Sequence, residues 1–382
     1  MKFTPLIIFL FFAGLEAKAQ TPVLVNDNEF QVAARAAIDS LYNQNPGAVS
    51  DLMKPWSESY PEHPVWYLWE AMEMWWKVLI DLHDDSYDDL LFEKMDKAND
   101  AADRLLRESP GHADAHIVKA VANGYIARQN ANRERWLRSV RTARTAYQAH
   151  IELEKSAPDL TDNLFAKGLK KYYSAYLPEA YTVIRAVSFL LPDGDKAEGL
   201  ELLELTSRDA IFARPEATYF LGLILLNYEE DYGRAMDQFY MLVEAYPNNS
   251  YYRRLLVRAL FQQRMYDAAL TEVKRALDHW KNMGFEDQPV LSEEMLYWKG
   301  RILNQYGRID EGYEAFYSGF NLGLNLPNRQ MRSFHALNGY YAGLLAERKG
   351  ELITARSLYR AVSQLECEPD IRKRASERMS EL

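Results

Sequence analysis

The chain has 382 residues, of which 48% are apolar and 26% charged, and its net charge is −10. That length exceeds one typical compact domain and suits two domains or one extended solenoid, while the apolar share argues against a disordered chain. The acidic balance argues against a general nucleic-acid binder, because neutralising phosphates needs a basic surface.

The N-terminus reads as a cleavable secretory leader. Lys2 supplies the positive charge, Leu6 to Leu15 is an apolar run, and Ala17-Lys18-Ala19 fits the small-x-small cleavage pattern. Residues 1–19 are therefore predicted to be a signal peptide, with the mature chain beginning near Gln20. The run is too short for a span of ~20 residues. No cysteine follows it to carry a lipid, and no later stretch is apolar enough to cross a bilayer. The expected destination is the periplasm, with release from the cell as the alternative. Cys367 is the only cysteine, so no intramolecular disulfide can form.

Beyond the leader, apolar residues recur at three- and four-residue steps, which predicts helix almost throughout and no strand pairing. Pro46, Pro110, Pro158, Pro215, Pro247 and Pro327 are read as helix stops. Trp66, Tyr67, Trp69, Trp75 and Trp76 crowd one helix that is apolar nearly all round and is expected in the core; exposed, the same rings would stack on a glycan. Asp81 to Glu93 is acidic but lacks the order of an EF-hand loop, and reads as a solvated connection. His112 and His116 could share a helix face beside Asp114, yet no third ligand is evident, so no metal is expected. Arg128, Arg133, Arg135, Arg138, Arg141 and Arg144 stand against Glu134 alone, predicting a broad basic face on one helix. That face would meet an acidic partner, an anionic head group or the acidic loop of another copy. No Gly-rich phosphate loop, HExxH, GxSxG or Cys–His nucleophile pattern is present, so neither catalytic residues nor a cofactor is expected.

Internal repetition decides the fold. Gly222 sits within one helix of the stretch Pro215 to Asn249, Ala235 and Phe239 in the next, and Pro247 closes the unit. Ala235 and Ala269 are 34 residues apart; Gly300 and Gly343 are 43 apart, as are Gly312 and Ala355. Small residues in mid-helix let antiparallel helices approach, and large aromatics one turn on fill the space beside them. One helical hairpin cannot bury its apolar face alone, so hairpins must stack. On GLILLNYEEDYGRAMDQFYMLVEAYP and GYYAGLLAERKGELITARSLYRA the chain resembles the tetratricopeptide repeat (TPR) superfamily over Pro215 to Ser363. Upstream the resemblance degenerates, with units of 48 and 57 residues closed by Pro158 and Pro215, where extra helices or long loops are expected. The stretch FLLPDGDKAEGLELLEL followed by YFLGLILLNY also resembles bacterial relatives of a eukaryotic TPR family involved in inclusion-body clearance, and transfers no function.

The resemblance implies an all-α, right-handed α-solenoid of TPR-like antiparallel helix pairs. Residues 20–214 would form a degenerate helical region, and residues 215–382 the regular repeats with a terminal helix. First helices of such pairs line a concave face, which would carry Tyr219, then Arg254, Arg258 and Gln262, then Tyr297, Arg301 and Asn304, then Tyr340 and Arg348. Guanidinium and amide donors on adjacent stripes suit carboxylates. The expected function is an exported interaction scaffold or adaptor, not an enzyme, binding a protein or peptide partner of acidic character. The alternatives are a glycan-binding protein using the aromatic N-terminal half, and a non-catalytic partner subunit of an envelope enzyme.

Overall fold

A computed structural model describes residues 21–185, 193–283 and 289–382; the predicted leader at 1–19 lies outside them. Among the described residues there is no strand, and no helix is long and apolar enough to cross a membrane. The N-terminal half runs α1 (Asn28–Tyr42), α2 (Pro46–Ser59), α3 (Pro64–Ile80), α4 (Asp88–Glu108), α5 (Ala113–Asn132), α6 (Trp136–Ser156), α7 (Asn163–Ala180), α8 (Thr182–Arg185) and α9 (Lys196–Asp209). The regular units follow as α10 (Arg214–Asn227) with α11 (Tyr232–Ala245), α12 (Ser250–Gln262) with α13 (Tyr266–Met283), α14 (Pro289–Gln305) with α15 (Ile309–Gly323), and α16 (Ser333–Arg348) with α17 (Leu352–Ser363). Helix α18 (Pro369–Glu381) ends the chain. Consecutive helices pack on one another, and one apolar core runs from Leu24 to Ala375, the arrangement of an all-α solenoid. The long interval closed by Pro215 does hold extra helices, α8 and α9.

Local chemistry sets the boundaries. Asp27, Asp195, Asp231 and Asn249 accept backbone N–H groups at the starts of α1, α9, α11 and α12. Pro46 and Pro215 do not stop helices; they lie in the first turns of α2 and α10, where a missing N–H costs nothing. The turn inside each hairpin recurs. Gln44, Glu134, Glu230, Arg264, Gly307 and Gly350 all have positive φ and join α1 to α2, α5 to α6, and the two helices of each regular unit. In five of the six, the residue after the left-handed one donates its N–H to a carbonyl five residues back, as Met265 does to Leu260 and Glu351 to Ala346. This is a helix C-cap closure in which the left-handed residue reverses the chain.

Within the regular units the small residues do what their spacing suggested. A Cβ on Gly222 would lie 2.8 Å from the Phe239 ring, on Gly300 2.7 Å from Phe316, and on Gly343 2.6 Å from Tyr359. In three of the four units the first helix thus rests its backbone on an aromatic of the second; α12 has no glycine.

The N-terminal half is not simply an upstream continuation of the stack. Its first helices fold back onto the first helices of the regular units. Asp39 accepts from Tyr246 Oη at 2.8 Å and pairs with Arg214, and Asn249 Nδ2 donates to the Tyr42 carbonyl at 2.7 Å. Trp76 meets Tyr252 edge to face at 5.7 Å between centroids. Farther along, Arg332 binds Asp81, and Asn328 donates to the His83 carbonyl.

Candidate binding site

The concave stripes divide into a covered part and an open part. Tyr219 is buried, its hydroxyl held by Arg128 Nη2 at 2.8 Å and Tyr251 Oη at 3.0 Å. Arg254 pairs with Glu294 at 2.9 Å and stacks over Tyr251 at 4.0 Å, so its charge is answered inside the chain. Gln262 is exposed, and Tyr297 and Tyr340 are buried.

The open part is a line of three guanidiniums on successive units. Arg258 on α12 donates to Asn227 Oδ1 at 2.8 Å, Arg301 on α14 to Tyr297 Oη at 2.5 Å, and Arg348 on α16 to Asn304 Oδ1 at 2.9 Å. Among the described residues none of the three has an ion-pair partner. Arg301 is also caged by the rings of Phe261 and Tyr341, at 5.1 and 5.0 Å. Burial pulls the pKa of Arg258 below the usual arginine value, against an opposing pull from the Glu294 carboxylate and with Arg254 adding repulsion.

The basic run is not one helix. A left-handed Glu134 turn separates α5 from α6, and two of the arginines face inward. Arg128 lies in the core over Trp75 at 4.8 Å, 3.6 Å from Glu216. Arg133 donates to both oxygens of Asp88, at 2.6 and 2.8 Å, and to the carbonyls of Leu82 and Asp84. The acidic loop expected to be solvated is therefore folded down, with Asp81 and Asp88 buried, and its arginine comes from the same chain. Arg135, Arg138, Arg141 and Arg144 remain exposed without ion-pair partners among the described residues. Beside them Trp136, Leu137 and Val140 are 63%, 86% and 69% exposed, so the first turns of α6 stand clear of the body.

Trp69, Trp75 and Trp76 are buried and Trp66 is half-buried, its indole N–H donated to the Tyr60 carbonyl at 2.7 Å. Three of the five rings that would make a stacking platform for a glycan are thus inside the core, and Trp66 and Tyr67 are half-buried. His116 turns away to the Pro110 carbonyl at 2.9 Å, and the group that joins His112 and Asp114 is His63, 51 residues away. Ligand atoms of His63, His112 and Asp114 lie within 4.8 Å of one another. Their geometry is that of an anchor for the N-terminal segment. Asp114 accepts from Leu24 N at 2.6 Å, Val25 N at 2.9 Å and His63 Nε2 at 3.2 Å, while His112 Nε2 lies 3.2 Å from the Thr21 carbonyl. A metal ion there would have to displace these bonds.

One feature gave no sequence motif. Between α3, α5, α6 and α7 lies an apolar cleft of about 650 Å³. Helix α6 packs closely on α5, and α7 on α9, but α6 and α7 touch at few points. Packed interiors rarely hold voids larger than a water molecule, so this is a recess where the stacking opens. Its walls carry Ala120, Gly124 and Ala127 of α5, Ala143 and Ala146 of α6, and Ala166 of α7. A Cβ on Gly124 would meet nothing within 4 Å, unlike one on Gly222, Gly300 or Gly343. At one edge Lys170 Nζ donates to Tyr147 Oη at 2.7 Å and sits 4.9 Å over its ring, with no ion-pair partner among the described residues. His150, 5% exposed, lines the same cleft; among the described residues its Nε2 has no hydrogen-bond partner, and burial lowers its pKa.

No protein-family model matches this chain, and no curated protein matches it significantly.

Proposed function

We propose that the chain is an exported, TPR-type scaffold that acts by binding, without catalysis, an acidic segment of a partner protein. The observation that carries this reading is the ladder of Arg258, Arg301 and Arg348. Each sits on the first helix of its unit, and each is held by a neutral amide or phenol rather than a carboxylate. Neighbouring arginines differ: Arg253 pairs with Glu272, and Arg254 with Glu294. Three guanidiniums without an ion-pair partner among the described residues of an acidic chain favour a ligand that supplies carboxylates at matching intervals. The periplasm fits the leader read from the sequence, with release from the cell as the alternative.

The test is capture of partners from envelope extracts by the mature chain, followed by titration of each recovered partner against the wild type and the Arg258→Ala, Arg301→Ala double variant. Loss of two charge-assisted hydrogen bonds, each contributing ~1.5–3 kcal/mol, weakens binding by at least tenfold, and added salt weakens the wild-type complex. Unchanged affinity in a folded double variant moves the site off this ladder.

A further inference from the structure

We propose that the cleft between α5, α6 and α7 is a binding site for a free long-chain carboxylate, an inference independent of the arginine ladder. Three observations on different residues converge. The space is the first: about 650 Å³, within the ~300–1,000 Å³ usual for small-molecule sites. It is walled by alanines and by Phe165, Leu169 and Phe220, a surface that suits an alkyl chain. Among the described residues nothing lies within 4 Å of where a Cβ on Gly124 would be, so this position of α5 borders open space instead of a packed helix.

The head-group end is the second observation. The carboxylates in the cleft wall, Asp114, Asp162 and Glu216, are taken up by bonds within the chain, and at the edge by α6 and α7 stand groups that suit a ligand carboxylate. Lys170 supplies an ammonium whose hydrogen-bond partner is the Tyr147 phenol. His150, one turn from Tyr147 on α6, is buried with Nε2 unpartnered among the described residues. A buried imidazole nitrogen left without a partner is costly in an interior, and a ligand carboxylate accepting from it would satisfy it. Glu154 lies 3.7 Å from that nitrogen, beyond hydrogen-bond reach, and pairs with Lys167 at 2.5 Å.

The third is the approach. Trp136, Val140, Ala143 and Tyr147 fall on one stripe of α6, at helical steps of three and four. Ala143 and Tyr147 line the cleft, whereas Trp136 and Val140 are exposed. The apolar stripe is therefore continuous from solvent into the cleft, and Arg144 flanks it with positive charge, with Arg141 and then Arg138 farther round the exposed side of the helix. An anionic amphiphile meets attraction first and burial second along this path.

The experiment uses the full mature chain, stripped of bound lipid, with oleate as probe, oleyl alcohol as the uncharged control, and native mass spectrometry and calorimetry as readouts. The wild type binds one oleate per chain. Gly124→Phe fills the cleft and abolishes binding of both probes. Lys170→Gln weakens oleate at least tenfold and leaves oleyl alcohol unchanged. Should Gly124→Phe not fold, Ala146→Leu on α6 gives the same reading. The proposal is overturned if the wild type takes up no oleate in a saturable way, or if the filled variants bind it as tightly. It is also overturned if the stripped chain sediments with phosphatidylglycerol vesicles while ignoring free oleate, which would make the surface a reader of bilayers. A wild-type dimer that Gly124→Phe turns into monomer would make the cleft a self-interface and equally overturn it.

Discussion

Arg332 Nη1 donates to both carboxylate oxygens of Asp81 at 3.0 Å across 251 residues of chain. Its Nε donates to Glu293 Oε2, also at 3.0 Å, and all three groups are buried. One guanidinium, on the residue preceding α16, thus joins the end of α3 to α14. Removing it would leave two carboxylates in the interior with no cation. Arg332→Met should cost ~3–5 kcal/mol, the penalty for orphaning a buried charge, and adding Asp81→Asn should return part of it. Urea unfolding measures both; a loss below about 1 kcal/mol would mean that water reaches the site.

Glu293 makes stability depend on pH in a definite direction. Burial raises its carboxyl from the usual 4.5 to about 7, outweighing the Arg332 beside it. An acid whose pKa is raised on folding contributes stability that is complete below its unfolded value and is lost as pH climbs through its folded one, here between about 4.5 and 7. Glu293→Gln lacks that titration. Its stability relative to wild type should therefore rise between pH 5 and pH 8, by on the order of 2 kcal/mol. A flat difference over that range would show that burial does not dominate the site.

His335 acts in the opposite sense. Burial lowers it from 6.5 to about 4, with Arg329 and Arg332 adding to the shift. Its contribution is present above about pH 6.5 and is lost as pH falls toward 4. His335→Gln should flatten the acid limb of the stability curve without changing the alkaline one. An acid limb as steep in the variant as in the wild type assigns it to other groups.

The glycines offer a paired test. Gly300→Leu drives a side chain into Phe316, whose ring already lies 2.7 Å from where a Cβ would be, and should cost ~1–3 kcal/mol or more. Gly124→Ala, in mid-helix with nothing within 4 Å of its Cβ, should gain roughly 0.5–1 kcal/mol. Thermal unfolding separates them by sign, and two losses of similar size would mean that the cleft is closed in solution.

Export is checked at the other end of the chain. The mature protein should begin at or near Gln20, just before Thr21, whose carbonyl lies against His112. N-terminal sequencing of the exported fraction decides it, and a chain beginning at Met1 would remove the leader.

Much of the repeat architecture could be read from local pattern. The intervals of 34 and 43 residues reappear as the spacing of the left-handed turns at Glu230, Arg264, Gly307 and Gly350. The mid-helix glycines at 222, 300 and 343 proved to be the aromatic contacts that their positions suggested. What escaped was tertiary. Asp81 and Asp88 look like solvated acids until Arg332 and Arg133 are known to reach them, and nothing local marks a partner 251 residues away. The ladder is shorter than the stripes implied because Tyr219 and Arg254 are engaged by neighbours within the chain. The cleft escaped for another reason. An Ala/Gly stripe such as Ala120, Gly124 and Ala127 has the same spacing whether it seats a helix or lines a space.

The fold-back of α1–α3 has a consequence for how this molecule comes apart. A linear array of hairpins has only nearest-neighbour coupling, so its terminal units fray first and independently. Here the opening units are stapled to the middle and late ones by Asp39–Arg214, Tyr42–Asn249 and Asp81–Arg332. Loss of α1 together with α3, whose Trp76 packs on Tyr42 and on Tyr251 and Tyr252, would expose that tyrosine surface at the same moment. Amide exchange in α1 should then track that in α12, and denaturation should be a single cooperative event, more like that of a globular enzyme than of a string of repeats.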